Sequence, residues 1–336
     1  MPTTPSEQTS RRRPASASRL AMMAMLLAVA WPARAALDAR AAVTVRMLPV
    51  GSPSPVLVFQ DSVQDLDLSG SSAAIGLDPG LPYVSTASGM NVFYGAVHGF
   101  AHADANHPGG GRYYSDASSA GRFTDQFRVT APGASGAGTM TLHATAHAVF
   151  DYDPQGSTDT TNFAATASAW IDLVVDNVAR VQDRYSTGYS ANIGENILAR
   201  MTVDVQSING NQAYTQHDPA LAGAGLTVVQ QFAIEVPFTF GALVNLDASV
   251  TLPTSSVACC SAGDGLDVDV AAWLRWDGIT DVRLTDGTPI SDIQALGIVT
   301  GFDYAQAAVV PEPGSAWMLL AGLWPLVRRL RHRRPG

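Results

Sequence analysis

The chain contains no lysine: all 20 of its basic residues are arginine. It holds only two cysteines, the adjacent pair Cys259 and Cys260. Between residues 41 and 310 the only glutamates are Glu195 and Glu235. Each scarcity excludes something. Lysine and glutamate form helices well and aspartate, abundant here, does not, so few surface helices are expected. Two neighbouring cysteines with no third cysteine or histidine nearby do not make a zinc finger. They join to each other only through a strained eight-membered ring, so a free pair, a clip within the loop expected over 253–265 and a bond between chains all stay open. The same segment, 41–310, carries 9 arginines against 24 aspartates and 2 glutamates, a net charge of −17. Such a surface repels nucleic-acid phosphates, admits Ca²⁺ and keeps an exported protein soluble. Also missing are a nucleophile elbow, a phosphate loop, a dinucleotide fingerprint and a zinc-protease helix. The aspartates are ungrouped and the two glutamates have no evident partner for a glycosidase pair. No enzyme is indicated.

Long apolar runs are absent too, and the two that exist lie at the ends. Arg11, Arg12, Arg13 and Arg19 surround the start of an apolar stretch over 21–31, too short to span a bilayer. Ala33, Arg34 and Ala35 then give a small-x-small cleavage pattern. This predicts a signal peptide over 1–35, with the Sec translocon and signal peptidase as partners. At the other end stand Pro311, Glu312 and Pro313, an apolar run over 315–327, and Arg328, Arg329, Arg331, Arg333 and Arg334. As a helix that run measures about 20 Å against the roughly 30 Å of a bilayer core. Trp317 and Trp324 suit the membrane interfaces, and the arginine cluster acts as a cytoplasmic stop.

These three blocks, in this order, resemble the PEP-CTERM sorting tail of Gram-negative bacteria. The resemblance covers residues 309–334. It implies that a membrane-embedded exosortase is the partner and that Pro311, Glu312 and Pro313 are its recognition motif. It also implies that the hydrophobic helix holds the protein in the inner membrane transiently, before release or re-anchoring at the outer surface or outside the cell.

The body between, 36–308, alternates with period two. Met140, Leu142, Ala144, Ala146, Ala148 and Phe150 oppose Thr141, His143, Thr145 and His147. The same pattern recurs at 163–171, 197–205, 232–240, 246–252 and 266–276, where Leu266, Val268, Val270, Leu274 and Trp276 oppose Asp267, Asp269 and Arg275. One apolar and one polar face per strand predicts antiparallel sheets packed face to face. The expected fold is all-β: an antiparallel β-sandwich, jelly-roll-like, flanked by the signal peptide and a short C-terminal hydrophobic helix. Gly241 is expected to turn the chain, 208–225 to be a long loop, and 291–296 to give at most one helical turn. The stretch from Phe232 to Tyr304 resembles the last strands of many PEP-CTERM bodies, which supports a sandwich and no activity.

Three groups of residues could bind something. Asp151, Asp153, Gln155, Ser157 and Asp159 follow one another like the first part of an EF-hand loop, a candidate Ca²⁺ site; Pro154, Gln155 and Gly156 favour a plain acidic hairpin connection instead. No other cofactor is called for. Trp170 and Trp273 fall on polar faces and could stack on sugar rings, with Tyr113, Tyr114, Tyr185 and Tyr189 in loop-like contexts beside them; cover by neighbouring chain is the alternative. Histidines four apart on a strand stand roughly 13 Å apart, so a metal would need residues from paired strands, for example His102 and His147 with Asp104. The function expected is that of an exported cell-surface or extracellular-matrix protein, a non-enzymatic structural or adhesive component associated with exopolysaccharide. A carbohydrate-binding module, Ca²⁺-assisted, is the alternative, and an exopolysaccharide hydrolase ranks third.

Overall fold

A computed structural model describes residues 35–49, 52–67, 70–77, 84–106, 111–155, 162–176, 179–192, 197–208, 226–259 and 265–308. All belong to one compact unit. The signal peptide and the sorting tail expected from the sequence lie outside these residues, as do Cys260, Ser157 and Asp159. Among the described residues no helix is long and apolar enough to cross a membrane.

Every pairing is antiparallel. One sheet contains β1 (Ala36–Pro49), β2 (Val56–Asp65), β6 (Gly111–Thr130), β8 (Asn162–Val175), β9 (Ala179–Asn192), β10 (Ile197–Ile208), β12 (Leu243–Cys259) and the short β14 (Gln294–Gly297). Its order is β10-β9-β8-β12-β6-β1-β2, with β14 on β6. The second contains β3 (Ser71–Leu77), β4 (Val84–Phe93), β5 (Ala96–Asn106), β7 (Ala137–Gln155), β11 (Leu226–Thr239) and β13 (Gly265–Leu284), in the order β11-β7-β13-β5-β4-β3. The two sheets pack face to face: β4 and β5 lie against β1, β6 and β12, and β13 against β12 and β8. The all-β sandwich expected from alternation is the fold found.

The core is built from the residues that alternation marks. Leu142, Ala144, Ala146, Ala148 and Phe150 are buried on β7, and Ala165, Ala167, Ala169 and Ile171 on β8. Small side chains line the middle, while Trp276, Tyr304, Phe123, Phe127 and Phe232 fill the remainder. Packing between the sheets is tight around Met90. A Cβ on Gly99 or Gly121, one in each sheet, would lie 2.5–2.7 Å from its side chain. Close approach lets hydroxyls of one sheet reach the backbone of the other: Ser88 Oγ donates to Ala42 O at 3.2 Å, and Ser119 Oγ to Phe100 O at 3.0 Å. Buried hydroxyls need such partners.

Several local expectations are corrected. Residues 253–259 continue β12 because they pair with both β6 and β8, so Cys259 ends a strand instead of sitting in a loop. Residues 294–297 form β14, not a helical turn, since they pair with 127–130 of β6. Tyr113 and Tyr114 lie on β6 and Tyr185 and Tyr189 on β9; Tyr185 is buried and donates to Asp183 Oδ2 at 2.6 Å. Gly241 does turn the chain, with φ of 75° that favours glycine.

Candidate functional site

The outer face of the six-stranded sheet gathers most of the chemistry-bearing residues. Strand register sets them in rows. Asp153 on β7, Asp267 on β13, Asp104 on β5 and Ser85 on β4 are direct neighbours in one row. In the next polar row Asp151 faces Asp269, which faces His102. Alternation puts them outside, because Tyr152, Val268 and Ala103 between them are buried inward.

His102 is the hub. Its Nδ1 lies 2.9 Å from Asp269 Oδ1 and 3.1 Å from Asp267 Oδ1. The N–H aligns with Asp269 as a hydrogen bond. Asp267 Oδ1 is buried, lies off the line of that hydrogen bond, and is held by the same His102 N–H as an ion pair. On the other side Nε2 is 3.1 Å from Ser85 Oγ, and that hydroxyl donates to Asp104 Oδ2 at 3.4 Å. Asp104 is fully buried. Burial alone would lower the imidazole pKa, but the hydrogen bonds and charges of Asp267 and Asp269 outweigh it and raise it to about 10.

The connectivity Asp269–His102–Ser85 is that of a nucleophile, base and orienting acid. Its charge state is not. A base must arrive neutral to take a proton. A pKa near 10 favours the imidazolium at neutral pH, and in that state Nε2 donates to Ser85 while the Ser85 hydroxyl donates to Asp104. In that state the serine is one link of a polar chain from His102 to Asp104.

Two rows along, His147 on β7, Trp273 on β13 and His98 on β5 stand side by side. His147 stacks on Trp273 with ring centroids 5.1 Å apart, and the Arg275 guanidinium lies 5.6 Å from the indole centroid. Burial lowers the pKa of both His98 and His147. The row between carries Phe100, 45% exposed, whose ring lies over Gly89 so closely that a Cβ there would meet it at 2.6 Å.

The residues singled out from sequence are thus dispersed. Asp151 and Asp153 come beside Asp269 and Asp267, but on extended chain, since β7 runs through Gln155, which pairs with Gly265. Trp170 is on β8 and Trp273 on β13, in opposite sheets, so no single face presents both. The Trp170 ring is capped by Arg184 at 5.7 Å, itself held by Asp172 at 2.8 Å. His102 does meet the row of Asp104, but not His147, which belongs with Trp273. What sequence reasoning missed is that Asp267 and Asp269, visible as one polar face of β13, complete the cluster around His102. The sorting motif Pro311, Glu312, Pro313 and the cluster Arg328, Arg329, Arg331, Arg333, Arg334 lie outside the described residues.

No protein-family model matches this chain, and no curated protein does. Solved structures with some likeness include the infectious bursal disease virus VP2 subviral particle, at 11% identity and TM-score 0.09, covering 86% of this chain and 72% of that one. A D431N mutant VP2 of the same virus has 11% identity and TM-score 0.10, covering 87% of this chain and 70% of that one. Likeness at that level carries no argument about fold or function.

Proposed function

We propose that the chain is an exported, non-enzymatic protein with a jelly-roll-like body. The leader over 1–35 directs it outward and an exosortase reads the tail over 309–334. At the outer surface or in the extracellular matrix it serves as a structural or adhesive component associated with exopolysaccharide. The observation that carries the adhesive reading is the β2 edge. Among the described residues β2 pairs only with β1, and Val56, Leu57, Val58 and Val63 are exposed on it. Soluble proteins usually guard a sheet edge with charge, proline or a bulge, because an open apolar edge recruits another strand; here Asp61 and Asp65 charge the second half of β2 and a bulge falls at Val58, which leaves 56–58 as its exposed apolar part. The occupant we assign is β2 of a second copy, paired about a twofold axis. Further support comes from the outer faces, where Trp170, Trp273 and Ser85 are each engaged by their own chain.

The test is sedimentation of the purified full chain beside Val58→Lys, together with retention of each in the host's extracellular polymer. Self-association and retention that the lysine abolishes are expected. Equal association and retention in both would overturn the edge reading. Incubation with the host's exopolysaccharide should release no reducing ends; steady release would instead favour a hydrolase.

A second reading, a carbohydrate-binding module, is favoured by one feature: Phe100 lies exposed one row from Trp273 on the same face. Binding to the polysaccharide that falls on Phe100→Ala and survives Val58→Lys would select it.

A further inference from the structure

We infer that His102, Asp267 and Asp269 bind one divalent transition-metal ion of the Zn²⁺ class on the outer face of the six-stranded sheet. The inference stands apart from the proposed function, needing neither polysaccharide nor strand pairing. Asp267 and Asp269 are two residues apart on β13 and so share a face. His102 is directly opposite Asp269 on β5. The ligating atoms of the three all lie within 4.8 Å of one another. A tetrahedral ion with bonds of about 2.0–2.1 Å holds its ligands about 3.3 Å apart. The contacts of 2.9 and 3.1 Å around Nδ1 therefore need to open by only a few tenths of an ångström.

Three further observations point to a cation. Asp267 Oδ1 is buried and shares with Asp269 Oδ1 the one Nδ1–H of His102, so a single proton serves two carboxylates where an ion would bind both. Ser85 holds Nε2, so the ring is already oriented with Nδ1 toward the carboxylates, and Asp104 holds Ser85 in turn. Metal-binding histidines are oriented in this way through their second nitrogen. Asp104, Asp151 and Asp153, opposite the ligands in register, add negative field.

The donor set selects the metal. An imidazole argues against Ca²⁺ and Mg²⁺, which prefer oxygen alone, and two carboxylates argue against soft Cu(I). Three protein ligands suit Zn²⁺ with a fourth position open to water or an external donor. On binding, the Nδ1 proton leaves to solvent and the ion takes its place between the ring and the carboxylates.

The experiment is calorimetric titration of the full chain, purified in detergent and stripped with EDTA, with ZnCl₂ and separately with CaCl₂. One Zn²⁺ should bind, and Asp269→Asn should weaken it by at least about 100-fold, the upper end of what losing even an outer-shell partner costs. Asp269 is exposed, so this variant keeps the fold. His102→Gln provides the second test, with its unfolding midpoint measured alongside. Zinc that binds the parent and both variants alike would overturn the site, since the chain has histidines elsewhere. No zinc binding would overturn it too, as would a Ca²⁺ affinity above that for Zn²⁺ and indifferent to His102→Gln.

Discussion

On the outer face of the eight-stranded sheet the described residues include four aspartate–arginine pairs. Arg122 holds Asp247 at 2.8 and 2.5 Å, Arg40 holds Asp38 at 2.6 Å, Arg46 holds Asp116 at 2.5 Å and Arg184 holds Asp172 at 2.8 Å. On the six-stranded sheet Arg275 and Arg283 are paired with Asp277 and Asp281, toward one end of β13. At the other end Asp267 and Asp269 hold His102, with Asp104, Asp151 and Asp153 beside them in register. The same residue type is a rung beside arginine on one face and part of a histidine cluster on the other. What decides the consequence is burial: an exposed carboxylate that loses its partner is rehydrated, and a buried one is not.

The largest effect should come from His102→Gln in EDTA. The His102 side chain is 18% exposed and Asp267 17%, and Asp104 is sealed. Removing the cation strands these carboxylates near one another, a cost of about 3 kcal/mol, the low end for a broken buried pair. Urea unfolding should show the midpoint lowered at unchanged slope. A loss under about 1 kcal/mol would mean that the two faces do not differ in the way burial implies.

Arg46→Gln should fall between. Arg46 is 35% exposed and Asp116 27%. Burial raises the Asp116 pKa even though the charge and hydrogen bond of Arg46 pull it down. Losing the guanidinium, which also lies 5.6 Å from the centre of the Tyr114 ring, should cost about 1.5 kcal/mol, the low end for a hydrogen bond to a charged group. The same urea titration measures it. A cost equal to that of His102→Gln would place the difference in side-chain type and not in burial.

How much of this could be read beforehand follows the same physics. The strands over 140–150 and 266–276 were legible because their inward residues are uniformly apolar and the outward ones polar. β4 was not. Its inward positions include Thr86 and Ser88, whose hydroxyls reach the carbonyls of Asp116 and Ala42 across the sandwich. A polar residue satisfied by the opposite sheet looks, in one dimension, like a break in the pattern. The cluster was half legible. His102, Asp104 and the face of Asp267 and Asp269 could each be noticed, but His102 and Asp269 are 167 positions apart. Which rows meet is fixed by the register of β5 on β13, and register comes from burial of a whole strand face. Trp170 and Trp273 failed to converge for the matching reason: alternation says that each points outward, not from which sheet.

The smallest effect should come from Arg122→Gln, and it closes the comparison from the other side. Arg122 is 47% exposed and Asp247 36%, with the charge of Asp38 also acting on the guanidinium. The pair is bidentate, the geometry most favourable to a surface bridge. It should still contribute under about 1 kcal/mol, because water takes over both groups when the contact is lost. What remains should shrink in 1 M salt, where the screening length falls to about 3 Å. The His102 effect should persist in the same salt, since a buried pair is screened much less. Measuring both variants in low and high salt therefore separates the two faces without relying on either absolute value. If the Arg122 loss is large and insensitive to salt, the ladder is part of the structural frame, and the opposition between exposed arginine pairs and the buried histidine pair would have to be redrawn.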